Sequence, residues 1–362
     1  MNINNNNRLE DLQNLTDNQK AIFKCILNMP RTKEEISSAL NLSEKTVSNN
    51  IPLMARQLEY HDVVRYVDSD GNVLYSIKEQ KVWHQTLLPK VYKYNVSPIH
   101  PYMVINLPDP PEGNHWTLYP FGDLHYGASE CDYLAVDKAL NLIDGDANGI
   151  VILMGDLMEN ANKESPADSV YRQVIQPQQQ QEDITNKLSK IAHKIIASVG
   201  GNHGDRSIKA VYLDPDKSIA DSIEVEHFPG MLYLDIICQN YKWEILVHHG
   251  DTSSTTLSGR INAVKKKNIF HTADIFLMGH THDTQFPWDI EIKRDPRNMK
   301  LTERDRSYIL TGGFLKPHIG YPNKKGYPPL PICMPSINLL CDGSSRPGSH
   351  IVINGRDVFY SS

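Results

Sequence analysis

Five short apolar runs in this chain end in the same abrupt way, and that repetition limits the fold more than any other feature. Thr117 to Phe121 runs into Gly122-Asp123-Leu124-His125, and Ile150 to Met154 into Gly155-Asp156-Leu157-Met158-Glu159-Asn160. Ile195 to Val199 leads to Gly200-Gly201-Asn202-His203-Gly204-Asp205, Glu244 to Val247 to His248-His249-Gly250-Asp251, and Ile275 to Met278 to Gly279-His280-Thr281-His282. Runs this short, bounded by glycine, read as buried strands, with helical stretches between them. In α/β architectures ligands collect at the carboxyl ends of the strands, so the five ends are expected to converge. The glycines let the backbone turn sharply and approach a site closely.

The residue types gathered there suit one chemistry. Carboxylates, a carboxamide oxygen and several imidazoles are intermediate-to-hard ligands that fit Mn, Fe or Zn, and the lack of nearby thiolates disfavours a structural zinc. Two such ions roughly 3.5–4 Å apart can clamp a phosphoryl group and activate water near neutral pH, which is the chemistry of phosphoester hydrolysis. Taken singly, an aspartate after a glycine is usually a turn residue and a buried histidine usually a hydrogen-bonded core residue. The ordered set of five blocks is what points to a site.

With those blocks in order, residues 116–320 resemble the calcineurin-like metallophosphoesterases, whose pattern is D-x-H, G-D-x-x, G-N-H, a His before Gly, and G-H-x-H. The resemblance implies a four-layer double β-sandwich flanked by helices, of α+β or α/β class, with two divalent ions, Mn2+ first and Fe, Zn or Ni as alternatives. It implies that Asp123, His125 and His282 hold one metal, that Asn202, His249 and His280 hold the other, and that Asp156 bridges them. His249 is preferred to His248 because the family places its ligand directly before the Gly. His203 is implied to contact the phosphate and to protonate the leaving oxygen as general acid. Two departures bear on substrate contacts. Gly204 stands where the family commonly has an acid, and Glu159-Asn160 replaces a frequent acid–Arg pair. Asp205 is the candidate to orient His203 in place of the missing acid.

Upstream, Ala21, Ile22, Cys25, Ile26 and Met29 recur at helical spacing before Pro30. Thr32-Lys33-Glu34-Glu35 reads as a capping box opening a second helix through Leu40, and Ser43 caps a third toward Leu58, which Pro52 should kink. Two alternating segments, Val63 to Val67 and Val73 to Ile77, flank the turn residues Ser69-Asp70-Gly71-Asn72. Three helices and a hairpin are similar in order to a small N-terminal winged helix-turn-helix domain, placed at residues 17–80. An Asn-rich, disordered N-terminus is expected over 1–16, a Pro-rich linker or strap over 81–112, and the phosphoesterase domain over 113–362. Gln176 to Gln181 reads as a loop before an amphipathic helix (Ile184, Leu188, Ile191). Leu310-Thr311-Gly312-Gly313-Phe314-Leu315 reads as a final strand, and Tyr321 to Pro331 as a Pro-rich loop.

The substrate depends on the N-terminal module, because the scaffold serves many phosphoesters. A helix-turn-helix fused to a phosphoesterase makes DNA the expected substrate. The layout is then similar to the nuclease subunits of double-strand-break repair complexes, and the C-terminal half resembles phage-type phosphoesterases. Lys33, Lys45, Arg65, Thr46, Asn49 and Asn50 are the candidate DNA contacts of the module. Residues 1–90 nevertheless carry 11 Lys+Arg against 11 Asp+Glu, and the whole chain a formal net charge of -6, so no global field draws it to a polyanion. Near the site, Arg206, Lys209, Arg260 and Lys265 to Lys267 are candidate phosphate contacts, and Tyr126 is a candidate base-stacking residue. The alternatives are a phosphomonoesterase whose module serves assembly, with a homodimer as the oligomer to consider, and a DNA-binding regulator with a vestigial site. No apolar run approaches the roughly 18 residues of a membrane span, and the Asn-rich stretch Met1 to Arg8, without a basic flank or apolar run, is not expected to act as a secretory signal. The five cysteines are odd in number and never form a C-x-x-C pair, so a reducing, cytoplasmic setting is expected.

Overall fold

In the computed structural model, the described residues are 15–27, 31–55, 61–67, 73–79, 90–163, 165, 169–317, 319, 326, 328–341 and 351–358. The chain divides into two units, residues 1–86 and 87–362. In the first, helices α1 (Asp17–Ile26), α2 (Lys33–Leu40) and α3 (Glu44–Ala55) precede strands β1 (His61–Val67) and β2 (Val73–Glu79), which pair antiparallel. Thr16 and Thr32 accept from the backbone N–H three residues on, while Gln19 and Glu35 reach back, so both helices open with reciprocal capping boxes. Ser43 caps α3 through the Thr46 N–H, and α3 continues through Pro52. Ile22, Phe23, Ile26, Ile36, Val47, Ile51 and Met54 form the core of this unit. Most of the Asn-rich start, the turn at 69–72, Pro89 and most of the loop expected over 321–331 lie outside the described residues.

The second unit holds two mixed sheets. Its elements, in chain order, are β3 (Lys93–Val96), β4 (Tyr102–Leu107), β5 (His115–Phe121), α4 (Tyr133–Gly145), β6 (Gly149–Leu153), α5 (Ser169–Arg172), α6 (Pro177–Ser189), β7 (Ile195–Val199), α7 (Asn202–Val211), α8 (Pro215–Ser222), β8 (His227–Phe228), β9 (Leu232–Cys238), β10 (Tyr241–His248), α9 (Leu257–Lys265), β11 (Ile275–Met278), β12 (Thr284–Gln285), β13 (Trp288–Asp295), β14 (Lys300–Thr311), β15 (Cys333–Leu340) and β16 (Ile351–Val358). One sheet runs β16-β15-β5-β6-β7-β8, the other β12-β14-β11-β10-β9-β4-β3, with β13 also paired to β14.

Alternate residues of the strands enter different cores, which is why the runs read as continuously apolar. Trp116, Leu118, Ile150 and Ile152 share a cluster with Trp243, Ile245, Ile275 and Leu277 from the other sheet. Their neighbours Tyr119, Phe121, Val151 and Leu153 pack with Val136, Ala139, Ile184 and Ile219 of α4, α6 and α8. On the second sheet, Leu246, Phe276, Met278 and Tyr308 pack with Val264 of α9. Among the described residues, no helix is long and apolar enough to cross a membrane.

Two expectations are corrected. Residues 93–107, read as part of a linker, include β3 and β4, and β4 pairs in parallel with β9. Pro98, Pro101 and Pro108 punctuate these strands, and Met103 and Ile105 are fully buried between the sheets. The glutamine run is not a loop but the start of α6, with Pro177 at its first turn, where a missing N–H costs nothing.

Candidate metal centre

The five expected strands, β5, β6, β7, β10 and β11, carry the five ligand-bearing blocks at their carboxyl ends. A sixth, β14, lies parallel to β11 and ends at Gly312-Gly313, beside the same site. A Cβ on Gly313 would sit 3.1 Å from the His282 ring and 3.2 Å from Asp123 Cβ, and the Phe314 N–H donates to the Asp123 carbonyl. Behind the centre, a Cβ on Gly201 would lie 2.2 Å from Asp156 N and Oδ1, so only glycine lets the two turns meet.

Backbone conformation marks the centre as well. Asp123, His125, Asp156, Asn160, His280 and His282 all have φ between 46° and 67°. Non-glycine residues held there cost on the order of 1–3 kcal/mol each, and such outliers cluster where function over-determines geometry.

Two groups of donors result. Asp123 Oδ1 lies 3.3 Å from His282 Nε2, which is 3.1 Å from His125 Nε2. Asn202 Oδ1 lies 3.0 Å from His249 Nε2 and 2.9 Å from His280 Nδ1. Asp156 stands between the groups, its Oδ2 3.2 Å from His249 Nε2 and 3.8 Å from His125 Nε2. Asp123, His125 and His282 could hold one cation, and Asp156, His249 and His280 another; His125, Asp156 and His203 form a third grouping with ligand spacing.

Several details fit a cation better than a bare hydrogen-bond network. Asp123 Oδ1 is buried, and among the described residues no donor meets it in hydrogen-bond geometry, His282 Nε2 lying 3.3 Å away. His249 Nδ1–H donates to the Met154 carbonyl, 2.8 Å away, which turns its Nε2 toward Asp156 and Asn202. His125 Nδ1 is held 3.2 Å from Glu159 Oε2, so its Nε2 likewise faces the centre. Burial alone would raise the carboxyls of Asp123 and Asp156. The imidazoles of His282 for the first, and of His249 and His203 for the second, outweigh it and hold both below the ordinary carboxylate range. Burial lowers His125 to about 3, whereas at His249 the Asp156 carboxylate outweighs burial and raises it to about 10.

His203, at the start of α7, is turned by its backbone. Its N–H donates to Asp156 Oδ1 (2.9 Å), its Nδ1–H to the Glu159 carbonyl (2.7 Å), and its Nε2 accepts from Arg206 Nη2 (2.7 Å). Burial pushes it down to about 4, so the imidazole is neutral at neutral pH. Glu159 and Asn160 support this arrangement: Asn160 Nδ2 donates to the His203 carbonyl, and buried Gln180 accepts from the Asn160 N–H. The glutamine run thus contributes a positioning residue.

Other candidates part company with the centre. Asp205 is exposed on α7, and the role foreseen for it toward His203 is filled by the Glu159 carbonyl. Tyr126 is buried edge-on against Tyr133 at 5.0 Å and offers no face for a base. Lys209 is exposed, and His248 belongs to neither donor group. Lys265 and Lys267 pair with Asp289 and Asp251. Arg206 and Arg260, together with Lys316, line a cavity of about 450 Å³ over the centre, with Arg260 fixed on Asp283 at 2.9 Å. Gln180, Gly313 and Lys316 stand at the site outside the five blocks that the sequence marks. A second Gly-Gly after an apolar run, at 312–313, is the signal that could have found one of them.

Asp216, on α8, accepts from the Gly201 N–H at 2.9 Å and fills the space a side chain at Gly204 would need. Burial raises its carboxyl to about 7, with Asp156 and Asp214 adding to the rise. Because the folded pKa lies above the unfolded one, its ionisation costs native stability, which is lost as pH climbs from about 4 through about 7. Asp216→Asn cannot ionise. The thermal stability of the variant relative to the parent is expected to improve across that window, by on the order of a few kcal/mol, and a flat difference would contradict this.

Neither a scan of known protein families nor a search of curated proteins returns a match. Among solved structures the chain is similar to a metallophosphoesterase from Sphaerobacter thermophilus, at 13% identity over 68% of this chain and 89% of that one, with a TM-score of 0.34. It is also similar to a double mutant of Vps29 from Entamoeba histolytica, at 12% identity over 66% and 97% of the two chains, with a TM-score of 0.28. Likenesses this distant carry no argument about activity, which rests on the residues themselves.

Proposed function

We propose that this chain is a metal-dependent phosphoesterase with a dinuclear centre, acting on phosphodiesters and above all on DNA. The observation that carries the reading is the pair of donor groups Asp123–His125–His282 and Asp156–His249–His280, at the ends of strands of both sheets, with Asp156 Oδ2 3.2 Å from His249 Nε2 in its own group and 3.8 Å from His125 Nε2 in the other. Divalent cations held there, Mn2+ first, would supply Lewis-acid stabilisation of phosphoryl charge and a water acidic enough to attack near neutral pH.

The chain's own residues do the rest. Asp123, His125 and His282 would hold one cation; Asn202, His249 and His280 the other; Asp156 both. Glu159 orients His125 and, through its carbonyl, His203. Arg206 and Lys316 offer positive charge to a phosphate in the cavity. Burial holds His203 in its neutral form, and the Arg206 guanidinium adds to this while donating to Nε2. A phosphate oxyanion beside Nε2 favours the imidazolium by the same Coulombic rule by which Arg206 disfavours it, so substrate entry prepares the proton donor for the leaving oxygen.

DNA is favoured as substrate by the three helices and hairpin of the first unit, where Lys45 and Asn49 are exposed on α3. The purified protein with Mn2+ is expected to hydrolyse a chromogenic phosphodiester and to degrade linear DNA. Turnover of a phosphomonoester alone would overturn the diesterase reading and favour a small-molecule or phosphoprotein substrate.

A further inference from the structure

The ribbon formed by β13 and β14 reverses the usual rule of a half-buried sheet. Along β13 the polar residues Asp289 and Glu291 are half-buried, while the apolar Trp288, Ile290 and Ile292 are 68%, 44% and 63% exposed. On β14 the same face adds Leu301, opposite Arg294 and 67% exposed, while the residues opposite Trp288, Ile290 and Ile292 are Ser307, Asp305 and Glu303. The polar face is pinned to the body of the unit. Arg304 donates to Asp274 and Glu244, both at 2.6 Å, and Asp289 receives Arg306, Tyr308 and Lys265. The ribbon is therefore held rigidly with its apolar stripe outward, a disposition that marks an interaction surface. Among the described residues, β13 has β14 as its one ladder partner, so its second edge offers unpaired N–H and C=O groups.

We infer that this edge receives a second copy of the chain, β13 pairing antiparallel with β13 of the copy across a twofold axis at Glu291. The sequence of the strand selects both the occupant and the register. With Glu291 opposite itself, Asp289 faces Lys293, Ile290 faces Ile292 and Trp288 faces Arg294, each pair occurring twice by symmetry. Unlike charges meet, four isoleucines form one cluster, and the indole lies under a guanidinium. Moving the axis to Ile292 sets Asp289 against Asp295 twice, and moving it to Ile290 sets Asp289 against Glu291 twice, whereas the register centred on Glu291 holds a single like-charge pair, at the axis. Each Glu291 carboxylate of that pair has Lys293 Nζ of its own strand at 3.5 Å. Edge pairing also satisfies the backbone groups that β13 leaves open.

Sedimentation of the full-length protein at micromolar concentration is expected to show a dimer. The Ile290→Lys/Ile292→Lys double variant, whose substitutions fall on exposed positions, is expected to sediment as a monomer while keeping the parent's far-ultraviolet spectrum and diester hydrolysis. Glu291→Cys is expected to form a covalent dimer under mild oxidation, because only at the axis does a residue meet its own copy; Met299→Cys, at the exposed hairpin tip, should not. A monomeric parent, a dimer that survives the double lysine substitution, or cross-linking of Met299→Cys in preference to Glu291→Cys would each overturn the inference.

Discussion

The Asp156→Asn variant is expected to lose bound cation and to hydrolyse a chromogenic diester about three orders of magnitude more slowly, ~4 kcal/mol at 1.36 kcal/mol per decade. The side chain is 2% exposed and is approached by imidazole nitrogens of His249, His125 and His203. Its Oδ2 lies 3.2 Å from His249 Nε2 and 3.8 Å from His125 Nε2, one nitrogen from each donor group, so removing its charge is expected to weaken both. Asparagine keeps the shape and can still accept from the His203 N–H, which limits the change to ligand charge rather than local packing. Elemental analysis after dialysis checks the result, and a variant that retained the parent's metal content would remove Asp156 from its bridging position.

His203→Ala gives the second large effect. Turnover is expected to fall by about 10²–10⁴-fold, the range for loss of a positioned proton donor, with metal content at the parent's level. His203 holds its Nδ1–H on the Glu159 carbonyl and turns Nε2 toward Arg206, which suits a group that exchanges a proton with substrate. The third grouping, His125, Asp156 and His203, makes the metal measurement decisive. Loss of cation from His203→Ala would make the residue a ligand, and a pH–rate profile unchanged by the substitution would deny it a proton-transfer role.

The strand ends were legible because burial on both faces leaves a continuous apolar run, and because the turn that follows must carry glycine and polar donors. That pattern named the strands whose ends meet here, while the assignment of individual ligands, His249 in place of His248 among them, came from the family resemblance; in the fold it is His249 that contacts Asn202 and Asp156. What escaped depends on packing between distant segments. Strands β3 and β4 were hidden among prolines, whose local signal is extension; their place is decided by Met103 and Ile105 meeting the core between the sheets. Gln180 reads as low complexity until α6 brings it under the Asn160 turn. Arg206 was a charge near the site, but its bond to His203 Nε2 arises because three residues along α7 return the chain to one face. Tyr126 had an attractive position next to a ligand block, and hydrophobic packing claimed it.

The central claim is that these donors hold divalent cations for phosphoester hydrolysis. The most direct measurement follows hydrolysis of a chromogenic phosphodiester by the chelator-stripped full-length protein as Mn2+ is restored, with bound metal counted in the same samples. The account predicts no turnover without metal and activity that rises as two cations bind per chain. A stripped protein that remained active, or one that bound no cation and stayed inert with Mn2+ in excess, would contradict it.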